Sequence, residues 1–156
     1  MPEYVLPGTG GADWRDLDAF TQGYIEALFF TENDPSICLD EWTPGHEFVD
    51  GSVPCDAGFE ELDPDSLSRA IRDCASFQLI NRVVLDEAYE MEVNAELYSE
   101  EQAGRDFWFT RNGHGVGFWD RGLDTVGDLL SAAATNWPGV DTFTIGTTEE
   151  PRIALG

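Results

Sequence analysis

Lysine is missing from this chain altogether. Its eight basic residues are all arginines, at positions 15, 69, 72, 82, 105, 111, 121 and 152, against 31 acids, for a formal charge of −23 at pH 7. A chain with no basic stripe forgoes the counterion release that supplies most non-specific nucleic-acid affinity, so direct binding of duplex DNA is not expected. Its field repels nucleic acid and anionic membrane surfaces and attracts basic ones. Screening cuts that field off beyond ~8 Å at physiological salt, so close contacts must back it. A GC-rich genome would account for arginine in place of lysine, and a saline source for the acidity; both readings stand beside a functional one. Long apolar runs are missing too: none approaches the ~20 residues that span a bilayer. The first twelve residues carry neither a basic region nor an apolar run, so no signal peptide is expected and the location read from the sequence is cytoplasmic. Cysteines number three, at 38, 55 and 74, an odd and irregular set that predicts no disulfide framework.

What is present is aromatic. Ten Phe, five Trp and four Tyr in 156 residues supply a core and argue against disorder, which goes with few aromatics. The length suits one domain. Residues 1–12, rich in Pro and Gly, read as a flexible arm ahead of a single domain over 13–156. Leu17, Phe20, Tyr24, Ala27 and Leu28 recur at helical spacing behind Asp13 as N-cap. Residues 32–63 show no period and read as a long acidic loop. Asp63-Pro64 opens a second helix with Leu67, Ala70, Ile71, Cys74 and Phe77 on one stripe. Helical pattern continues to about 97, with Val84, Ala88, Met91 and Ala95 on one side and Asp86, Glu90 and Glu96 roughly opposite. Ser99 to Gln102 matches a capping box, with Gly104 closing a short turn. A further helix runs from Leu123 to Trp137, and 141–146 with 152–155 form short strands.

Between these lies Asp106-Phe-Trp-Phe-Thr-Arg-Asn-Gly-His-Gly-Val-Gly-Phe-Trp-Asp120. Asn112-Gly113 between two aromatic runs is a strong hairpin signal. The expected fold is therefore α+β: three to four helices packed on a small antiparallel sheet with this hairpin at its centre. In that register Trp108, Thr110, Gly115, Gly117 and Trp119 share a face, with Trp108 lying over Gly117. The block Gly104–Gly122 resembles a segment of uncharacterised small proteins of tailed bacteriophages. That resemblance implies a phage source and a host-cell cytoplasmic location, and it carries no activity.

Catalytic chemistry finds little purchase. There are two histidines, His46 and His114, and no G-x-S-x-G elbow, so an enzyme is not expected. Gly113 to Gly117 lacks the strand–loop–helix context and the lysine of a phosphate loop. Cys38, His46 and Cys55 share the acidic loop, but neither C-x-x-C nor H-x-x-x-H occurs, and no metal or cofactor is expected. The reading that remains is an acidic binding protein. Asp86, Glu87, Glu90, Glu92 and Glu96, preceded by Asp56, Glu60 and Glu61, would present a row of carboxylates at about phosphate spacing. The expected partner is a basic host protein, a DNA-processing or defence enzyme, inhibited by DNA mimicry. The alternative is a hairpin-centred module in which Trp108, Arg111, Asn112, His114 and Trp119 hold a nucleotide, a single strand or a protein.

Overall fold

Five α-helices and three separate two-stranded sheets make up the computed structural model, which describes residues 13–156; the expected arm at 1–12 lies outside them. In chain order they are α1 (Ala19–Glu32), β1 (Asn33–Asp34), β2 (Val53–Pro54), α2 (Pro64–Ile80), α3 (Arg82–Tyr89), β3 (Glu92–Val93), β4 (Glu96–Leu97), α4 (Glu100–Arg111), α5 (Asp124–Thr135), β5 (Thr142–Gly146) and β6 (Pro151–Leu155). Helices and small sheets together make this an α+β protein. The sheet is not the single central platform expected. β1–β2 is a parallel pair, while β3–β4 and β5–β6 are antiparallel ribbons that share no strand.

α1 and α4 cross at the centre of the molecule. Their backbones touch: a Cβ placed on Gly104 would sit 1.8 Å from the Phe20 carbonyl oxygen, and one on Gly23 would sit 2.0 Å from that of Glu101. Around the crossing an aromatic core forms, with Phe77 stacked on Phe107 at 4.1 Å between ring centres and on Phe118 at 5.9 Å. Tyr24 meets Phe107 at 5.4 Å and Trp108 edge-on at 5.2 Å. Such offset and edge-to-face pairs add ~0.5–1.5 kcal/mol each beyond the area they bury. Gly104 is thus inside a helix, where the sequence suggested the end of a turn. Glycine serves here because nothing larger lets the two helices meet.

The expected Asn-Gly hairpin is absent. Residues 100–111 are helical, capped at the start by Ser99, whose side chain accepts from the Gln102 N–H at 3.1 Å. Asn112-Gly113 ends this helix. Gly113 takes the left-handed conformation at φ 72°, its N–H bonds the Thr110 carbonyl, and the His114 N–H bonds the Phe109 carbonyl at 2.9 Å. That pair of bonds is how a glycine just past a helix satisfies the orphan carbonyls of the last turn. His114 packs edge-on against Phe109, completing the cap. Positive φ, which the hairpin reading needed at two residues, is used at one.

The long helix expected to reach residue 97 is broken twice. Asn81 separates α2 from α3 with its side-chain amide returned to the Phe77 carbonyl at 2.9 Å. After Tyr89 the chain turns into the β3–β4 ribbon, where Asn94 and Ala95 both hold positive φ, 56° and 71°. This two-residue connection is the primed hairpin turn that matches strand twist; it stands at Asn94-Ala95 instead of Asn112-Gly113. The 33–63 segment is less irregular than expected. It contains β1, β2 and tight turns at Leu39–Glu41 and Phe59–Glu61. Buried Asp34 organises it, accepting from the Ser36 hydroxyl and N–H and from the Val49 and Asp50 N–H groups. The Ser36 hydroxyl first, then these backbone donors, hold its carboxyl well below the ordinary value. At the start of the described chain Asp13 caps a short turn at Trp14–Asp16, and Asp18 caps α1, accepting from the Thr21 N–H at 2.8 Å.

Candidate functional site

The two candidate surfaces fare differently. Of the residues assigned to a hairpin face, Trp108 and Arg111 are inside the protein. The Trp108 indole N–H donates to the Thr31 hydroxyl at 2.9 Å, and its ring is fully buried. Arg111 donates through Nε and Nη2 to the Pro138 carbonyl, at 3.0 and 2.7 Å, and through Nη1 to the Tyr24 hydroxyl and the Asp73 carboxylate. Its guanidinium lies 5.3 Å from the ring centres of both Phe107 and Trp137. Asn112 is spent on structure, donating to the Trp108 carbonyl and accepting from the Val140 N–H at 2.7 Å. His114 is half-buried and Trp119 is 47% exposed. Trp119, not Trp108, is the ring against Gly117, where a Cβ would meet it at 2.2 Å.

A second buried charge holds the same block together. Asp106 is fully buried. It receives the Tyr98 hydroxyl, the Gln102 amide at 3.1 Å and a two-pronged Arg121 guanidinium at 2.8–3.1 Å. Burial and then the Asp106 charge push the Tyr98 phenol far above its ordinary value, so it remains a donor. Asp106 and Arg111 are therefore interior fastenings, which is why α4 shows no amphipathic period.

The acidic residues are where a partner can reach them. Asp86, Glu87, Glu90, Glu92 and Glu96 are all exposed, and among the described residues none forms an ion pair. Six of the eight arginines do, with Asp13, Asp73, Glu26, Asp106 and Glu150, so those cations are spent elsewhere. The row is not one helix face. Asp86, Glu87 and Glu90 belong to α3 and its C-cap. Glu92 pairs with Leu97 and Val93 with Glu96 across the ribbon, which turns Glu92 and Glu96 to opposite faces. Of the acids grouped with this row in the sequence, Glu61 caps its own turn, accepting from the Gly58 N–H, and Asp56 accepts from the Leu39 N–H seventeen residues back.

Two features beside the acids were not visible beforehand. At the α2–α3 corner, Leu79, Ile80 and Val83 stand 72–75% exposed, an apolar step close in sequence, with Asp86 and Glu87 one turn after Val83 on α3. Next to it a cleft of about 390 Å³ is lined by Asp18, Gln78, Arg82, Asp86, Tyr89 and Glu100, among others. The Tyr89 hydroxyl is buried there with no hydrogen-bond partner among the described residues. Burial, then the charges of Glu100, Asp86 and Asp18, raise its ionisation well above the usual phenol value. A helical reading of 82–97 with Val84, Ala88, Met91 and Ala95 on its apolar side assigned no place to Leu79, Ile80 and Val83, and the break at Asn81 exposes them. No family model, curated protein or solved structure matches this chain.

Proposed function

We propose that this chain is a non-enzymatic phage accessory protein that binds a basic nucleic-acid-processing or defence protein of the host and occludes its nucleic-acid groove. The observation that carries this reading is the exposed acid set on α3 and the β3–β4 ribbon, without an ion pair among the described residues, beside an exposed apolar step. Acids alone would give salt-sensitive, loosely oriented attraction. Leu79, Ile80 and Val83 add a desolvatable centre, and apolar contact surrounded by a charged rim is the usual anatomy of a specific interface. Asp86 and Glu90 lie one turn apart, as do Glu87 and Glu90, at the ~5–6 Å Cβ spacing a groove built for phosphates can follow. The phage source rests on the resemblance of the 104–122 block. The hairpin alternative loses two of its five residues, since Trp108 and Arg111 are interior.

The test is competition. A basic DNA-processing protein captured from bacterial lysate, identified and purified, is titrated with this protein in the presence of duplex DNA. The reading expects DNA to displace the protein and affinity to fall steeply as salt rises. Combined Glu87→Gln, Glu90→Gln and Glu96→Gln changes should weaken binding at least tenfold with the unfolding midpoint unchanged. A ternary complex with DNA, or salt-insensitive affinity, overturns it.

A further inference from the structure

Cys38 and Cys55 are seventeen residues apart in sequence, yet their sulfurs lie 3.3 Å apart. The surrounding backbone brings them there. The Cys55 N–H donates to the Ile37 carbonyl at 2.7 Å, and the Leu39 N–H donates to Asp56 Oδ1 at 2.7 Å. Glu41 Oε1 accepts from the Cys38 N–H at 3.2 Å. Each of these carboxylates thus has one oxygen anchored to backbone and a second with no hydrogen bond among the described residues. The sulfurs of Cys38 and Cys55 and a carboxylate oxygen of Asp56 all lie within 4.8 Å of one another, and Cys38 forms a second such group with Asp40 and Glu41. Both cysteines are half-buried and Asp56 is exposed, so an ion can enter from solvent.

We propose that Cys38, Cys55 and Asp56 form a binding site for a borderline-soft divalent cation, Zn2+ by its chemistry, with Asp40, Glu41 or a water completing the tetrahedron. The donor set selects the metal. Two sulfurs suit Zn2+ and exclude Ca2+ and Mg2+, which require oxygen cages. Geometry favours a bridging ion over a direct bond between the sulfurs. Zinc–sulfur bonds of ~2.3 Å set tetrahedral sulfurs ~3.8 Å apart, an opening of roughly 0.5 Å from the observed distance. A disulfide at ~2.05 Å would require closing by roughly 1.3 Å. The neighbouring acids work in the same direction, since a cation neutralises the charge they gather around the sulfurs. On binding, the two thiols release their protons to solvent and both sulfurs ligate as thiolates. The ion would clamp the Leu39–Glu41 turn to the segment after β2, giving the 33–63 region a fastening of its own. His46, the third residue once grouped with these cysteines, packs instead against Phe48.

Co2+ is the probe, added to protein whose three free thiols have been counted with a thiol reagent. One equivalent should bind per chain with thiolate-to-cobalt charge-transfer absorption, and Zn2+ should displace it. Cys38→Ser and Cys55→Ser should each abolish the band. Asp56→Asn, which retains an oxygen for the Leu39 N–H, should weaken binding at least tenfold. Because a serine variant could lose the local fold, alkylation of the unaltered protein supplies a second readout: Zn2+ should protect Cys38 and Cys55 from iodoacetamide, measured by mass. Absence of the band in fully reduced protein, its survival in Cys38→Ser, or unprotected thiols in saturating Zn2+ would each overturn the proposal. So would a Cys38–Cys55 disulfide that persists in reductant and excludes the metal.

Discussion

Gly104→Ala should destabilise this protein strongly, although alanine is the better helix former. In an unencumbered helix interior the exchange would gain ~1 kcal/mol. At this position the new methyl would stand 1.8 Å from the Phe20 carbonyl oxygen, 2.8 Å from its carbon and 2.9 Å from the Tyr24 nitrogen. All three are backbone atoms of α1, so no side-chain rotation relieves the overlap. Restoring ordinary contact requires α1 and α4 to separate by roughly 1.5 Å. That separation loosens the Phe20, Tyr24 and Phe107 rings, which now meet at 5.4–6.0 Å. Overpacking ordinarily costs ~1–3 kcal/mol; with rigid atoms on one side and an aromatic core opened on the other, about 3 kcal/mol net is expected. For a chain of this size that corresponds to a fall of about 6–12 °C in Tm. Urea unfolding followed by far-ultraviolet circular dichroism measures it, with an unchanged slope confirming that the denatured state is unaffected. Gly115→Ala, which meets nothing within 4 Å, should shift stability by no more than ~0.5 kcal/mol. A Gly104→Ala protein as stable as the parent would refute the close crossing, and with it the placement of residues 100–111 in a helix.

Three further outcomes concern the end of α4 and the buried phenols around the core. Gly113→Ala should cost ~1–2 kcal/mol through its left-handed φ alone, because nothing lies near its Cβ; Gly113→Asn should cost less, and equal losses would contradict the helix cap. Arg111→Ala leaves the Asp73 carboxylate and the Pro138 carbonyl without their buried partner, and about 3–5 kcal/mol should be lost in chemical denaturation; a loss under ~1 kcal/mol would place Arg111 at the surface. Burial raises the ionisation of Tyr24, Tyr89 and Tyr98. In the unfolded chain these phenols ionise near ~10, so the stabilisation is complete below that pH and is lost as pH rises above it. A urea midpoint unchanged between pH 9 and pH 11.5 would contradict the burial of these rings.

The helices at 64–80 and 124–135 were readable because each buries one stripe, with Asp63-Pro64 marking the start of the first, and that at 19–32 because Phe20, Tyr24, Ala27 and Leu28 recur at helical spacing. α4 was not, for a physical reason. It is buried on nearly every side, so its period vanishes, and its Asp106 and Arg111 look like surface residues while serving as interior fastenings. Asn-Gly then misled, since a helix cap and a tight hairpin both call for positive φ at glycine. The acidic set was legible as charge, because exposure is the default for Asp and Glu. Its division between α3 and a ribbon depends on positive φ at Asn94 and Ala95, and alanine gives no warning of that. The approach of Cys38 to Cys55 is a tertiary fact that depends on how Asp34 folds the loop between them.

The central claim is the location of the binding surface, and hydrogen exchange on the complex with a purified basic partner tests it most directly. The account predicts slowed exchange, relative to the free protein, across 79–97, covering the Leu79–Val83 corner, α3 and the β3–β4 ribbon. Protection confined to residues 112–119, with 79–97 unchanged, would contradict it.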